Sequence, residues 1–131
     1  MSNVIELETA SENTYMTPDH LEYFRQKLLN WQDELVAASK AIMINLKEHE
    51  GQKPDPIDFG TMQAEKELNL ITENRNNHLI RQIEYALYRI KQGEYGYCEI
   101  TGEEIGIERL KIMPLTSLSV EAQERMEKYG S

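Results

Sequence analysis

PDHLEYFRQKLLNWQDELVAASKAI, residues 18–42, repeats its apolar residues every seven positions. Leu21, Leu28, Leu35 and Ile42 form one row, and Phe24, Trp31 and Ala38 form a second row three residues on. Two such rows are the seam of a coiled coil, because that spacing keeps one helix face turned to a partner helix. The start is marked as well. Thr17 is able to cap, Pro18 fits the first helical position, and Asp19 puts an acid in the first turn. The seam weakens at Asn45 and His49 and stops at Gly51, which gives a helix of roughly 33 residues and roughly 50 Å.

Working outward, Gly51-Gln52-Lys53-Pro54-Asp55-Pro56 reads as a short loop, and a second helix is expected from about Ile57 to Gln92, closed by Gly93. Its seam is clear at Leu79, Ile83, Ala86 and Ile90, while Asn69, Thr72 and Asn76 interrupt it nearer the loop. Two helices of matched length make an antiparallel hairpin, well packed at the base and more polar towards the tip. After Gly93 the chain turns compact and rich in turns, with Tyr95-Gly96-Tyr97-Cys98 and Ile105-Gly106-Ile107. Ser119 then offers a cap for a closing helix from Val120 to about Lys128. Ile100, Ile105, Ile107, Leu110, Leu115 and Leu118 are expected to pack against Tyr95 and Tyr97. The chain is therefore expected to be mainly α. A tail, residues 1–16, packs on the globular part. A coiled-coil hairpin, 17–92, has its tip at 51–60, and a small knuckle with a C-terminal helix fills 93–131.

The bulk numbers bound the function. At 131 residues the chain has room for one modest core. Its net charge of −9 argues against direct DNA binding, which draws its affinity from Lys and Arg neutralising phosphates. No apolar run approaches the ~20 residues needed to span a bilayer, and the start MSNVIELETASENTYM carries no base, unlike a secretion or transit signal. A cytoplasmic protein is expected. Cys98 is the single cysteine, so neither an intrachain disulfide nor a thiolate cluster is available. It has no evident activating base, and no Ser/His/Asp or Cys/His set suggests an enzyme.

Asp55-Pro56-Ile57-Asp58-Phe59-Gly60 places two carboxylates at the hairpin tip. By local chemistry this is a helix start, with Asp as N-cap, Pro at the first position and an acid in the first turn. A cap can still leave carboxylate oxygens exposed. On a projecting arm such oxygens are able to act on a metal-bound active site in another protein by charge and hydrogen bonding. Two carboxylates alone make a poor resident Mg2+ site.

DPID at the tip, ENRNNHLIRQIEYAL in the returning helix and GEYGYCEITGEEIGIERL after it resemble the DksA/TraR family, over about Tyr15 to Gln123. The resemblance implies a monomeric regulator, not an enzyme. It implies a hairpin inserted into the secondary channel of bacterial RNA polymerase to modulate initiation at ribosomal RNA and stringent-response promoters. Asp55 and Asp58 match the family's tip aspartates. Gly60 stands where the family usually has Ala, which loosens the first turn by ~1 kcal/mol and implies weaker or differently regulated contact. Arg75 matches a basic position used in polymerase binding, and it also reads as a solvated helix arginine.

Two departures stand out. Zinc-type members carry two Cys-x2-Cys pairs, and here the matching positions are Cys98, Thr101, Ser119 and Ala122. One thiolate does not close a four-ligand site, so a degenerate zinc finger without zinc is expected. The basic positions with which zinc-type members meet the alarmone guanosine tetraphosphate are here Gln82, Met113 and Gln123. Binding of that polyanion is expected to be weak or absent, with Arg109 and Lys111 the nearest alternative cations. Two other readings are open: a transcript-cleavage factor of the same channel, and a coiled-coil adaptor whose tip carboxylates only cap.

Overall fold

The computed structural model describes residues 15–48 and 56–129, and the backbone alone for 56–58. Four helices follow one another: α1 (Pro18–Glu48), α2 (Pro56–Gln92), α3 (Ile107–Ile112) and α4 (Val120–Tyr129). The described residues contain no strand, and a single antiparallel bridge joins Tyr97 to Glu104. The architecture is mainly helical and built on two long helices, as the seven-residue spacing implies.

α1 begins where the sequence marks it. The Thr17 hydroxyl accepts from the His20 amide at 3.2 Å, and His20 Nδ1 accepts from the Thr17 amide at 3.4 Å. This reciprocal pair satisfies two backbone donors at a helix start, with histidine in the place usually taken by Glu or Gln. α2 begins at Pro56, the position where a missing N–H costs nothing.

The contacts divide the chain into two units. One holds residues 15–29 and 83–129 of those described, and the other holds 30–82. The expected chain boundary at Gly93 is thus not a boundary of packing, since the start of α1 and the end of α2 group with the knuckle. In this first unit Phe24, Leu28, Ile83, Tyr95 and Leu110 are fully buried, joined by Ala86, Ile105 and Ala122. The Phe24 and Tyr95 rings lie 5.6 Å apart and tilted, so the knuckle closes directly on the helix seam. Ile100 departs from the expected packing: it is 54% exposed. It sits in the turn that follows Cys98, whose backbone is held by Glu103 and Gly102, and this turn faces away from the core.

In the second unit α1 and α2 pair antiparallel, with Asn69 Nδ2 donating to Asn45 Oδ1 at 3.3 Å. Trp31, Leu35 and Ile42 are half-buried, while Ala38, expected in the seam, is exposed. Asn76 is the one buried residue of this unit among those described.

Candidate functional site

The tip is framed by the start of α2. Asp55 lies outside the described residues, and Asp58 lies in the first turn of the helix by its backbone. An acid in the first turn of a helix is favoured by the positive end of the helix dipole. Phe59 follows it at 54% exposure, a large apolar ring presented beside the acid. Sequence reasoning did not single out this ring, although an aromatic residue beside a loop acid was a usable signal. A Cβ added at Gly60 would meet nothing within 4 Å, so the missing methyl leaves open surface and no packed neighbour. Arg75 is exposed on α2 and makes no ion pair among the described residues.

The knuckle brings Cys98, Thr101, Ser119 and Ala122 into one turn-and-cap arrangement. The Cys98 amide donates to Glu103 O at 2.8 Å, and Cys98 O accepts from Gly102 at 2.9 Å. Positive φ at Gly96, Gly102 and Gly106 lets the chain reverse within these few residues. Burial pushes the Cys98 thiol up, but donors outweigh it. The Thr101 hydroxyl and the amides of Ser119, Thr101 and Ile100 hold the thiol down at about 6. The Ser119 hydroxyl is turned away from that sulfur's role: it accepts from the Ala122 amide at 3.2 Å and caps α4. The four positions thus supply one sulfur, two hydroxyls and a methyl. That set does not fit a closed structural zinc site, which takes four Cys or His donors. Among the described residues no group of three His, Cys, Asp or Glu side chains is placed to hold a metal.

Hydrogen bonds from distant parts of the chain cross the knuckle instead. The Tyr15 hydroxyl donates to Gly96 O at 2.6 Å and accepts from the Gly106 amide at 2.9 Å, so one side chain ties both arms of the turn. Arg89, only 4% exposed, donates from Nη2 to Glu94 O at 3.0 Å and Tyr97 O at 2.6 Å. Its Nε stands 3.9 Å from Glu99. Tyr85 and Ser117 also donate to that carboxylate, and these bonds, with Arg89, hold Glu99 below the usual carboxylate range despite partial burial. The Tyr95 hydroxyl reaches Pro114 O at 2.8 Å, Arg109 Nε reaches Leu118 O at 3.1 Å, and Lys27 Nζ closes the end of α3 on Lys111 O at 2.9 Å. Sequence reasoning missed Tyr15, Arg89 and Lys27. Arg89 carried a signal, since it falls three residues after Ala86 on the seam face.

Of the positions matching the alarmone surface, Gln82 and Met113 are exposed, and Gln123 bonds Glu127 at 3.0 Å. Arg109 is committed to Leu118, and Lys111 lies 3.8 Å from Glu108.

Two long helices, the second with an acid in its first turn, and a glycine-turned knuckle around Cys98 define a class: helical-hairpin proteins with a finger-like knuckle. The match to known families is specific. Residues 20–90 match the model of the DnaK suppressor protein DksA N-terminal domain, and residues 93–128 match that of the prokaryotic dksA/traR C4-type zinc finger. The chain is 40% identical over 119 residues to the RNA polymerase-binding transcription factor DksA of Caulobacter vibrioides, covering 91% of this chain and 84% of that one. It is 31% identical over 109 residues to the protein of the same description from Escherichia coli, covering 83% and 72%. The solved structure of transcription factor DksA2 from Pseudomonas aeruginosa superposes with a TM-score of 0.86 at 32% identity, covering 95% of this chain and 96% of that one. The chain belongs to the DksA family.

Proposed function

We propose that this protein is a transcription factor that binds bacterial RNA polymerase, carries its hairpin tip into the secondary channel and modulates initiation at ribosomal RNA and stringent-response promoters. The observation that carries this reading is the match of both family models, in order, across nearly the whole chain, with relatives described as RNA polymerase-binding factors. Asp55 and Asp58 act at the tip by charge and hydrogen bonding, Gly60 sets how firmly the first turn of α2 is held, and Arg75 contacts the polymerase. The protein performs no catalysis of its own. It works as a monomer in the cytoplasm without touching DNA directly, in keeping with a net charge of −9 and with the lack, among the described residues, of a helix long and apolar enough to cross a membrane.

The knuckle works without zinc. One sulfur does not bind the ion tightly, and the tyrosine, arginine and lysine bonds across the knuckle serve the purpose of the missing ligands. The alarmone plays little part, because Gln82, Met113 and Gln123 offer a polyanion no charge. The test is transcription from a ribosomal RNA promoter with purified polymerase and protein purified in a metal chelator. A changed transcript yield, with the melting temperature unmoved by chelator, is expected. Absence of polymerase binding contradicts the reading, and unfolding by chelator contradicts the zinc-free knuckle.

A further inference from the structure

The seam of the second unit changes character along its length. On α1 the half-buried residues Leu35, Ser39, Ile42 and Leu46 follow 4-3-4 spacing, so Ser39, and not Ala38, takes the inward place in that turn. On α2 Thr72, Asn76 and Leu79 follow the same 4-3 spacing. The bond between Asn69 and Asn45 fixes the antiparallel register, and that register sets the Ser39 turn against the Asn76 turn. Ser39 also lines a groove with Asn77 and Ile80 of α2. A polar layer thus crosses the hairpin, with Leu35 and Leu79 on one side of it and Ile42 on the other. Its groups are shut in without being answered. Asn76 is 7% exposed, and Ser39 Oγ and Glu73 Oε2 are buried with no hydrogen-bond partner in the chain.

We propose that this layer is a hinge, at which water enters the seam and the two helices of the hairpin part and close again. A buried oxygen without a partner has lost its bonds to water and gained none inside, so parting the helices there restores hydration and gives up little apolar contact. The layers on either side oppose parting, because Leu35, Leu79 and Ile42 lose burial when the helices separate. A polar layer that serves only to fix pairing is answered across the seam, as Asn69 answers Asn45. Ser39 and Glu73 find no such answer. A resident cation fits no better, since one carboxylate is too few and, among the described residues, no group of three His, Cys, Asp or Glu side chains is placed to hold a metal. Water inserted beside a helix is a physical cause of bending, and a polar site holds it by two to four hydrogen-bonding groups. Ser39, Glu73 and Asn76 bring three such groups to one stretch of seam. The element then has two states, closed with its oxygens buried and parted with them hydrated, and it stands on the seam alone, whatever the protein binds.

The test is NMR relaxation dispersion on the full-length protein. Amides of residues 36–42 and 72–79 are expected to share one exchange process on the microsecond-to-millisecond scale, with a minor state on the order of a few per cent, while those of 24–28 and 83–90 stay flat. Flat profiles through 36–42 and 72–79 overturn the hinge. Dispersion confined to residues 44–48 and 59–66, with none at the layer, marks fraying from the helix ends and overturns it as well. The double variant Ser39→Ala/Asn76→Leu makes the layer apolar and is expected to shrink the minor population on the order of fivefold and to raise the melting temperature. Ser39→Ala alone, which removes one unanswered hydroxyl, is expected to shrink it less and serves where the double variant does not fold, as judged by circular dichroism. Dispersion left unchanged in a folded variant overturns the proposal.

Discussion

Residues 15–29 and 83–129 contain every fully buried apolar side chain of the described chain, whereas residues 30–82 contain none and bury only Asn76. Both regions use the same two helices, so the difference lies in what covers the seam. In the first, the knuckle lays Tyr95, Ile105 and Leu110 over Phe24, Leu28 and Ile83, and each fully buried side chain adds roughly 2 kcal/mol. In the second, no residue is buried but Asn76 among those described, and asparagines occupy places where a coiled coil usually has aliphatic residues. The contrast teaches that burial is concentrated in one unit: residues 15–29 and 83–129 hold the buried core, and residues 30–82 hold a pair of helices with little apolar burial of its own.

The strongest way to break this contrast is to truncate the same kind of side chain in each region. Phe24→Ala removes a fully buried ring and is expected to cost about 3–5 kcal/mol in urea unfolding. Leu35→Ala, at a half-buried seam position, is expected to cost about a third of that. Equal losses would show that the hairpin is as tightly held as the base. Tyr15→Phe comes next. It leaves Gly96 O and the Gly106 amide without their partner and is expected to cost about 2 kcal/mol, with the largest gain in hydrogen exchange confined to the knuckle. No change in exchange there would deny Tyr15 a part in holding the knuckle together.

Acidity sharpens the same comparison more gently. The Cys98 thiol is held at about 6 in the folded chain, below its ordinary value of 9.0, so the folded state binds fewer protons between those pH values. Its contribution to stability is therefore full above about pH 9, falls as the pH drops towards 6, and is gone below that. Unfolding of the wild type is expected to show this slope and Cys98→Ser to lose it, with thiolate absorbance rising through a midpoint near 6. A midpoint near the ordinary thiol value would mean that the donors around the sulfur do not reach it. The smallest effect belongs to the tip. Gly60→Ala is expected to stabilise the start of α2 by ~1 kcal/mol, since the added methyl meets no atom, and to raise protection in that first turn alone.

Much of this was legible in the sequence, and the gaps have physical causes. Local signals fixed the helices: the Thr17-Pro18 start, the Pro56 start, Gly93 and the Ser119 cap all act within a few residues of themselves. Contacts between distant residues left no such mark. Tyr15 meets its partners 81 and 91 residues away, and nothing around it distinguishes it from the tail it closes. α3 was missed because six residues carry little periodicity, and Gly106 precedes it at φ 106° without a side-chain cap. Ile100 was assigned to the core on its composition alone, and the turn at Gly102 carries it outward. At the candidate site, the family resemblance implied the four matching positions and the sequence marked the Ser119 cap, but only geometry showed which donors reach the Cys98 sulfur.

The central claim is that the carboxylate at the tip acts on the partner while other surfaces bind it. Its most direct test is transcription from a ribosomal RNA promoter with wild type and Asp58→Asn at matched polymerase occupancy. The account predicts that the substituted protein occupies the polymerase and loses most of its effect on transcript yield. An undiminished effect at equal occupancy would contradict it, leaving Asp58 a helix cap and nothing more.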